Sequence, residues 1–252
     1  MYTLFTHKGL RERAPFRLTT TLKDYICNTR PEIIIVSPGY LSNRITTTQQ
    51  FLDDLLSGWC KQSQYKIMGI TAGMNGVDKN GNDRNLANHR LELGNKQINI
   101  INFKKNHSCA TNRDHKKMVF LGKVIDSECM FPNEIDVNIS TLRYFIGKIK
   151  ITGVATGSSN FSKTTYLGSN NVADKGESDI FMYTACDTGF HRYLIESLER
   201  TEVEAAVPPI LSESILSGNL PPNASKIVNN SLTDDEKYLT WMLYETLLDQ
   251  LR

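Results

Sequence analysis

Cysteine is scarce in this chain. Five are scattered over 252 residues, at Cys27, Cys60, Cys109, Cys129 and Cys186. Their number is odd and no two stand close together, so the sequence offers neither a disulfide framework nor a thiolate zinc site. Histidine is equally rare, with five: His7, His89, His107, His115 and His191. Long apolar runs are missing, and none reaches the ~20 residues that cross a bilayer as a helix. The first residues lack the apolar core of a secretion signal. No internal repeat is evident, which argues against solenoids and propellers. These absences lead to the expectation of a cytoplasmic protein in a reducing compartment, with no membrane partner.

The chain does have length and an ordinary apolar content. With 252 residues, 40% of them apolar, it can bury a sizeable core and does not have the composition of a disordered chain. The formal net charge is only +2, but it is unevenly spread. Residues 1–30 hold six Lys or Arg against two acids, residues 84–123 nine against two, and residues 196–252 four against ten. The middle of the chain is thereby suited to an anion and the tail is not.

Strand patterns recur from residue 31 onward. The run I-I-I-V at 33–36, bounded by Pro31 and by S-P-G, predicts a strand covered on both faces. Further strands are predicted at 65–70, 98–103, 117–121, 148–154 and 180–183. Thr48 to Trp59 reads as a helix, with Phe51, Leu52, Leu55 and Leu56 on one side. Thr233 with Glu236 three residues later marks the capped start of an amphipathic helix running to Leu251. The expected class is α/β, a sheet flanked by helices with a helical C-terminal extension. Three regions follow: a basic N-terminal arm at 1–30, a central domain at 31–185 and a helical region at 186–252. Two insertions lie between strands, 73–84 and 127–140. The first is rich in Gly, Asn and Asp but lacks the spacing of a calcium-binding loop.

His115 stands apart from the other histidines because a strand begins almost at once after it, in D-H-K-K-M-V-F-L. Strand alternation puts His115 and Lys117 on one face, and Lys116 and Met118 on the other. An imidazole beside an ammonium is costly to bury without an anion, and a phosphate neutralises the one while accepting hydrogen bonds from both. A second stretch, V-A-T-G-S-S-N-F-S, follows the strand predicted at 148–154. Gly157 permits a close turn, Ser158 offers a hydroxyl and Asn160 an amide donor. Glu177 precedes the strand predicted at 180–183, and it can hold one ring nitrogen of an imidazole while the other stays free.

H-x-K at His115 and Lys117, followed beyond a strand by G-S-x-N at Gly157 to Asn160, resembles the phospholipase D superfamily. The continuation N-F-S is similar to its nuclease members, and I-I-I-V-S-P-G-Y with G-S-S-N-F-S to its restriction endonucleases. The resemblance covers residues 31–185. It departs from the pattern in two ways: the aspartate that commonly follows the lysine is missing, and the gap from His115 to Asn160 is long. The resemblance implies a mixed sheet of phospholipase D type. It also implies phosphodiester hydrolysis through a phosphohistidine, with no metal and no other cofactor. His115 would attack phosphorus, while Lys117, Asn160 and Ser158 hold its oxygens. The family brings two H-x-K motifs to each centre, and this chain has one, which implies a homodimer with a shared centre. Double-stranded DNA is the expected substrate, with Arg84, Arg90, Lys104, Lys105 and Arg113 on its phosphates. A non-specific nuclease is the main alternative, ahead of a phospholipase and of a DNA-binding module without catalysis.

Overall fold

A computed structural model describes residues 1–8, 18–38, 50, 53–54, 67–71, 91–93, 96–101, 116–132, 137–157, 177–201, 210–213 and 220–251. Among them, nine strands form one mixed sheet. In chain order they are β1 (Tyr2–Lys8), β2 (Ile33–Pro38), β3 (Ile67–Thr71), β4 (Leu91–Leu93), β5 (Lys96–Ile101), β6 (Lys117–Val124), β7 (Ile149–Gly157), β8 (Glu177–Tyr183) and β9 (Ile210–Glu213). Across the sheet the order is β4-β5-β3-β2-β6-β7-β8-β1-β9. β2, β3 and β5 run parallel. Every other neighbouring pair is antiparallel. Four α-helices lie among the described residues with their bounds, α1 (Leu18–Thr29), α2 (Ile139–Gly147), α3 (Thr188–Thr201) and α4 (Asp234–Leu251).

The continuous apolar run of β2 is explained by cover on both sides. Ile33 and Ile35 join a core with Phe120, Ile149, Ile151 and Val154, closed by Phe145 of α2 and by Leu239, Leu243 and Leu247 of α4. Ile34 and Val36 alternate to the other face and are also buried. There Tyr25 of α1 packs edge-on to Phe181 of β8 and Phe190 of α3. The architecture is therefore helices on both faces of a mixed sheet.

β6 and β7 pair through a bulge, where the register shifts between Leu121 and Gly122 and Thr152 is the extra residue. The Ile151 N–H donates to Thr240 Oγ1 of α4 at 2.9 Å. The Thr152 side chain turns to the α1 face, with its Oγ1 2.7 Å from the Tyr25 hydroxyl. Gly122 is required beside the bulge, because a Cβ there would lie 2.1 Å from the Lys150 carbonyl oxygen.

Several expectations change. Tyr2–Lys8, expected in a basic arm outside the central domain, is a strand between β8 and β9. Leu4 and Met1 are buried, and these apolar residues carry the segment into the fold despite its basic neighbours. The region expected to be helical from 186 contributes β9 to the same sheet as well as α3 and α4. The boundaries at 30 and 185 thus do not divide the sheet. α2 was not expected; it begins where Asn138 Oδ1 accepts the Ser140 and Thr141 N–H groups in a capping box. The helix ending at Leu251 is present, with Thr233 and Glu236 bonded reciprocally at its start. The helix expected at 48–59 lies almost wholly outside the described residues. Among the described residues no helix is long and apolar enough to cross a membrane.

Candidate functional site

β6, β7 and β8 are adjacent, and their order of pairing brings three residues named from sequence to one end of the sheet. Lys117 opens β6, opposite Pro38 at the end of β2. Gly157 closes β7, one residue beyond the pair Met118↔Thr156. Glu177 opens β8 and pairs in register with Lys8, while Gly157 pairs with Asp179. The carboxyl ends of β1, β2, β3 and β5 reach this same end. In open α/β sheets, ligands bind outside the carboxyl ends of the strands, where the strand order reverses. Here the order reverses between β2, which is followed outward by β3 and β5, and β6, which is followed the other way by β7 and β8.

Two adjacent lysines are separated by strand alternation. Lys116 donates to Asp249 Oδ2 of α4 at 2.5 Å, and its carbonyl accepts from the Ser37 hydroxyl at 3.1 Å. Met118 follows it to that side, with its sulfur 3.6 Å from Thr246 Oγ1. Lys117 therefore falls on the opposite face, half-buried, together with the positions of Gly157, Asp179 and Glu177. Gly157 is the exposed last residue of a strand, where a turn had been expected, so β7 runs three residues further than predicted.

His115, Ser158 and Asn160 lie outside the described residues, as do Arg84, Arg90, Lys104, Lys105 and Arg113. Some of them adjoin described residues, however. His115 immediately precedes Lys116, and Ser158 immediately follows Gly157. Residues 72–90 join β3 to β4 and residues 102–115 join β5 to β6, with all four flanks at the end of the sheet that carries Lys117.

Asp179 was missed from the sequence. It is 5% exposed, a buried carboxylate on the strand that Glu177 opens. Its signal was the alternation E-S-D-I-F-M-Y, in which positions 177, 179, 181 and 183 share a face. β8 was expected to begin only at Ile180, because Ser and Asp are poor strand formers.

His191 is the one histidine whose side chain is described. It stacks on Tyr2 with ring centroids 3.9 Å apart, and its Nδ1 is 2.8 Å from the Tyr183 hydroxyl. Burial, then the neighbouring Tyr2 and Asp187, hold the Tyr183 hydroxyl protonated well beyond the usual tyrosine range, and which of the two groups donates this bond follows the His191 tautomer. The cluster sits at the far end of β8 from Glu177 and serves packing.

The chain matches no protein-family model and no curated protein. Among the described residues no group of three or more His, Cys, Asp or Glu is arranged to hold a metal ion. What the described part of the site offers is a cation on Lys117, a glycine without a side chain beside it, and carboxylates at 177 and 179 on the next strand. That set suits an anion held over the sheet end, with an acid behind it to orient a base.

Proposed function

We propose that this protein is a metal-independent phosphodiesterase that hydrolyses double-stranded DNA, acting as a restriction endonuclease of phospholipase D type. The observation that carries the reading is the adjacency of β6, β7 and β8, which aligns Lys117, Gly157 and the acidic start of β8 at one sheet end. Ser158 directly follows Gly157, His115 is two residues before Lys117 and Asn160 three residues after Gly157 in the chain. His115 attacks phosphorus; a P–N bond forms and the P–O bond to the leaving strand breaks. Lys117, Asn160 and Ser158 hold the non-bridging oxygens, and a second His115, from a partner subunit, protonates the leaving oxygen. Water then cleaves the P–N bond and restores the imidazole. Asp179 joins Glu177 as a candidate to orient the imidazole, because a buried carboxylate is itself held in place and fixes a tautomer firmly.

Basic residues on 72–90 and 102–115 favour a polyanion over a lone lipid head group. The test is incubation of the purified protein with duplex DNA of varied sequence in excess chelator. Discrete fragments support the proposal. A smear supports the non-specific nuclease instead. Cutting that appears only when magnesium is restored overturns the phosphohistidine route.

A further inference from the structure

At the other end of the sheet, where β6 ends and β7 begins, an open groove of about 430 Å³ is lined by Arg30, Glu32, Lys123, Lys150 and Glu236 among others. Lys123 and Lys150 are direct register partners on antiparallel strands. Like charges in that position repel. Lys150 is neutralised by Glu236 Oε1 at 2.7 Å. Glu236 also accepts the Thr233 N–H, and Glu32 accepts the Val124 N–H at 3.1 Å. Both acids of the groove are thus engaged. Asp187, the further carboxylate near the two lysines, is held by Tyr25 at 2.5 Å. The Lys123 ammonium makes no hydrogen bond or ion pair with a described residue. Arg30 reaches the groove from a left-handed backbone, φ 49°, between α1 and Pro31. A non-glycine residue holds that conformation at a cost, and here it turns the chain end of α1 to the groove.

The lining holds three cations and two acids, with Asp187 a third carboxylate near Lys123 and Lys150, so no overall excess of charge singles out the groove. What does is Lys123, an ammonium that no described acid pairs while Lys150 beside it is held by Glu236. We propose that this groove binds a single phosphate group, with Lys123 as its direct ligand and Arg30 and Lys150 at its sides. The volume is within the usual range of small-molecule sites, and a tetrahedral oxyanion can accept from donors on several sides at once. Lys123 is six residues from Lys117 on the same strand, roughly 20 Å at about 3.4 Å per residue. The groove is therefore separate from the candidate catalytic end, and the inference does not rest on the proposed hydrolysis.

Inorganic phosphate titrated into the full chain, followed by phosphorus NMR line width, tests the site. Lys123→Gln is expected to weaken binding about tenfold, the effect of losing one charge-assisted hydrogen bond. Arg30→Asn, whose new side chain tolerates the left-handed backbone, is expected to weaken it too, and decides the matter if Lys123→Gln fails to fold. Lys117→Gln should leave groove binding in place. Wild-type affinity in both groove variants overturns the proposal, as does loss of all phosphate binding in Lys117→Gln. The source of the phosphate is read in the Lys117→Gln background. Displacement of bound phosphate by a short DNA duplex assigns the groove to a nucleic-acid backbone. Displacement by a deoxynucleoside monophosphate but not by the duplex assigns it to a free phosphate ester.

Discussion

The Thr240 hydroxyl is fully buried and accepts the Ile151 N–H beside the bulge in β7. The bulge interrupts the ladder there, and the hydroxyl of α4 supplies an acceptor for the N–H. Thr240→Val keeps the shape and removes the acceptor. It is expected to cost about 1–3 kcal/mol, the penalty for a buried unsatisfied donor, as read by urea unfolding. A change under about 0.5 kcal/mol, the range of ordinary surface substitutions, would show that another group satisfies the amide. Glu236 yields a second prediction, in pH. Burial raises its pKa, but the hydrogen bonds from Lys150 and from the Thr233 N–H outweigh burial and hold the carboxyl below its ordinary 4.5. A depressed carboxyl stabilises the fold above the unfolded value and loses that contribution as pH falls through the folded one. Glu236→Gln is expected to be about 1–2 kcal/mol less stable at neutral pH, with Lys150 partly exposed and its pairing discounted accordingly. The gap should close as pH drops below 4.5. A gap that stays constant from pH 7 to pH 3 would remove the ionic account.

Strand alternation gives neighbouring residues different roles. Lys116 and Lys117 are identical in chemistry, but Lys116 is tied to Asp249 on the α4 face, while Lys117 is on the face of Gly157 and Asp179. Lys117→Gln is expected to lower kcat by about 10²–10³-fold, typical for a donor lost from a developing oxyanion. Lys116→Gln is expected to change it by less than about threefold, since an exposed ion pair contributes little. Equal losses in the two variants would refute the assignment of faces. This division was legible in D-H-K-K-M-V-F-L, because the apolar run fixes the period of two. Central β2 and α4 were legible too, one from its β-branched run and the other from its cap. β1 was not, since K-G-L-R-E-R-A just beyond it is basic and masked a short alternating strand. Asp179 was not, because its burial depends on β1 pairing beside β8, a contact 173 residues away in sequence at Thr6↔Asp179.

At the scale of the whole molecule, the acidic tail and the basic middle do not stay apart. Asp249 of α4 neutralises Lys116, so part of the positive excess visible in residues 84–123 is cancelled within the fold, and Glu236 of the same helix neutralises Lys150. The basic segments 72–90 and 102–115 connect strand ends that lie at the sheet end carrying Lys117. One H-x-K motif at that end is half of what the proposed chemistry needs, because one imidazole must attack while another protonates the leaving oxygen. A symmetric dimer supplies the second from the same residue. The consequence is measurable by co-refolding wild-type and His115→Ala chains in equal amounts, so that subunits reassort. Random pairing leaves about a quarter of the dimers with two intact histidines. A shared centre is active only in those, so specific activity per total protein should fall to about a quarter of wild type, and as the square of the wild-type fraction at other ratios. Independent centres would instead give about half, falling linearly with that fraction. Because one centre must cut the two strands of a duplex in succession, a nicked intermediate should also accumulate in single-turnover cleavage of supercoiled DNA. A linear dependence on the wild-type fraction, or full activity from a species that sediments as a monomer, would overturn the shared centre.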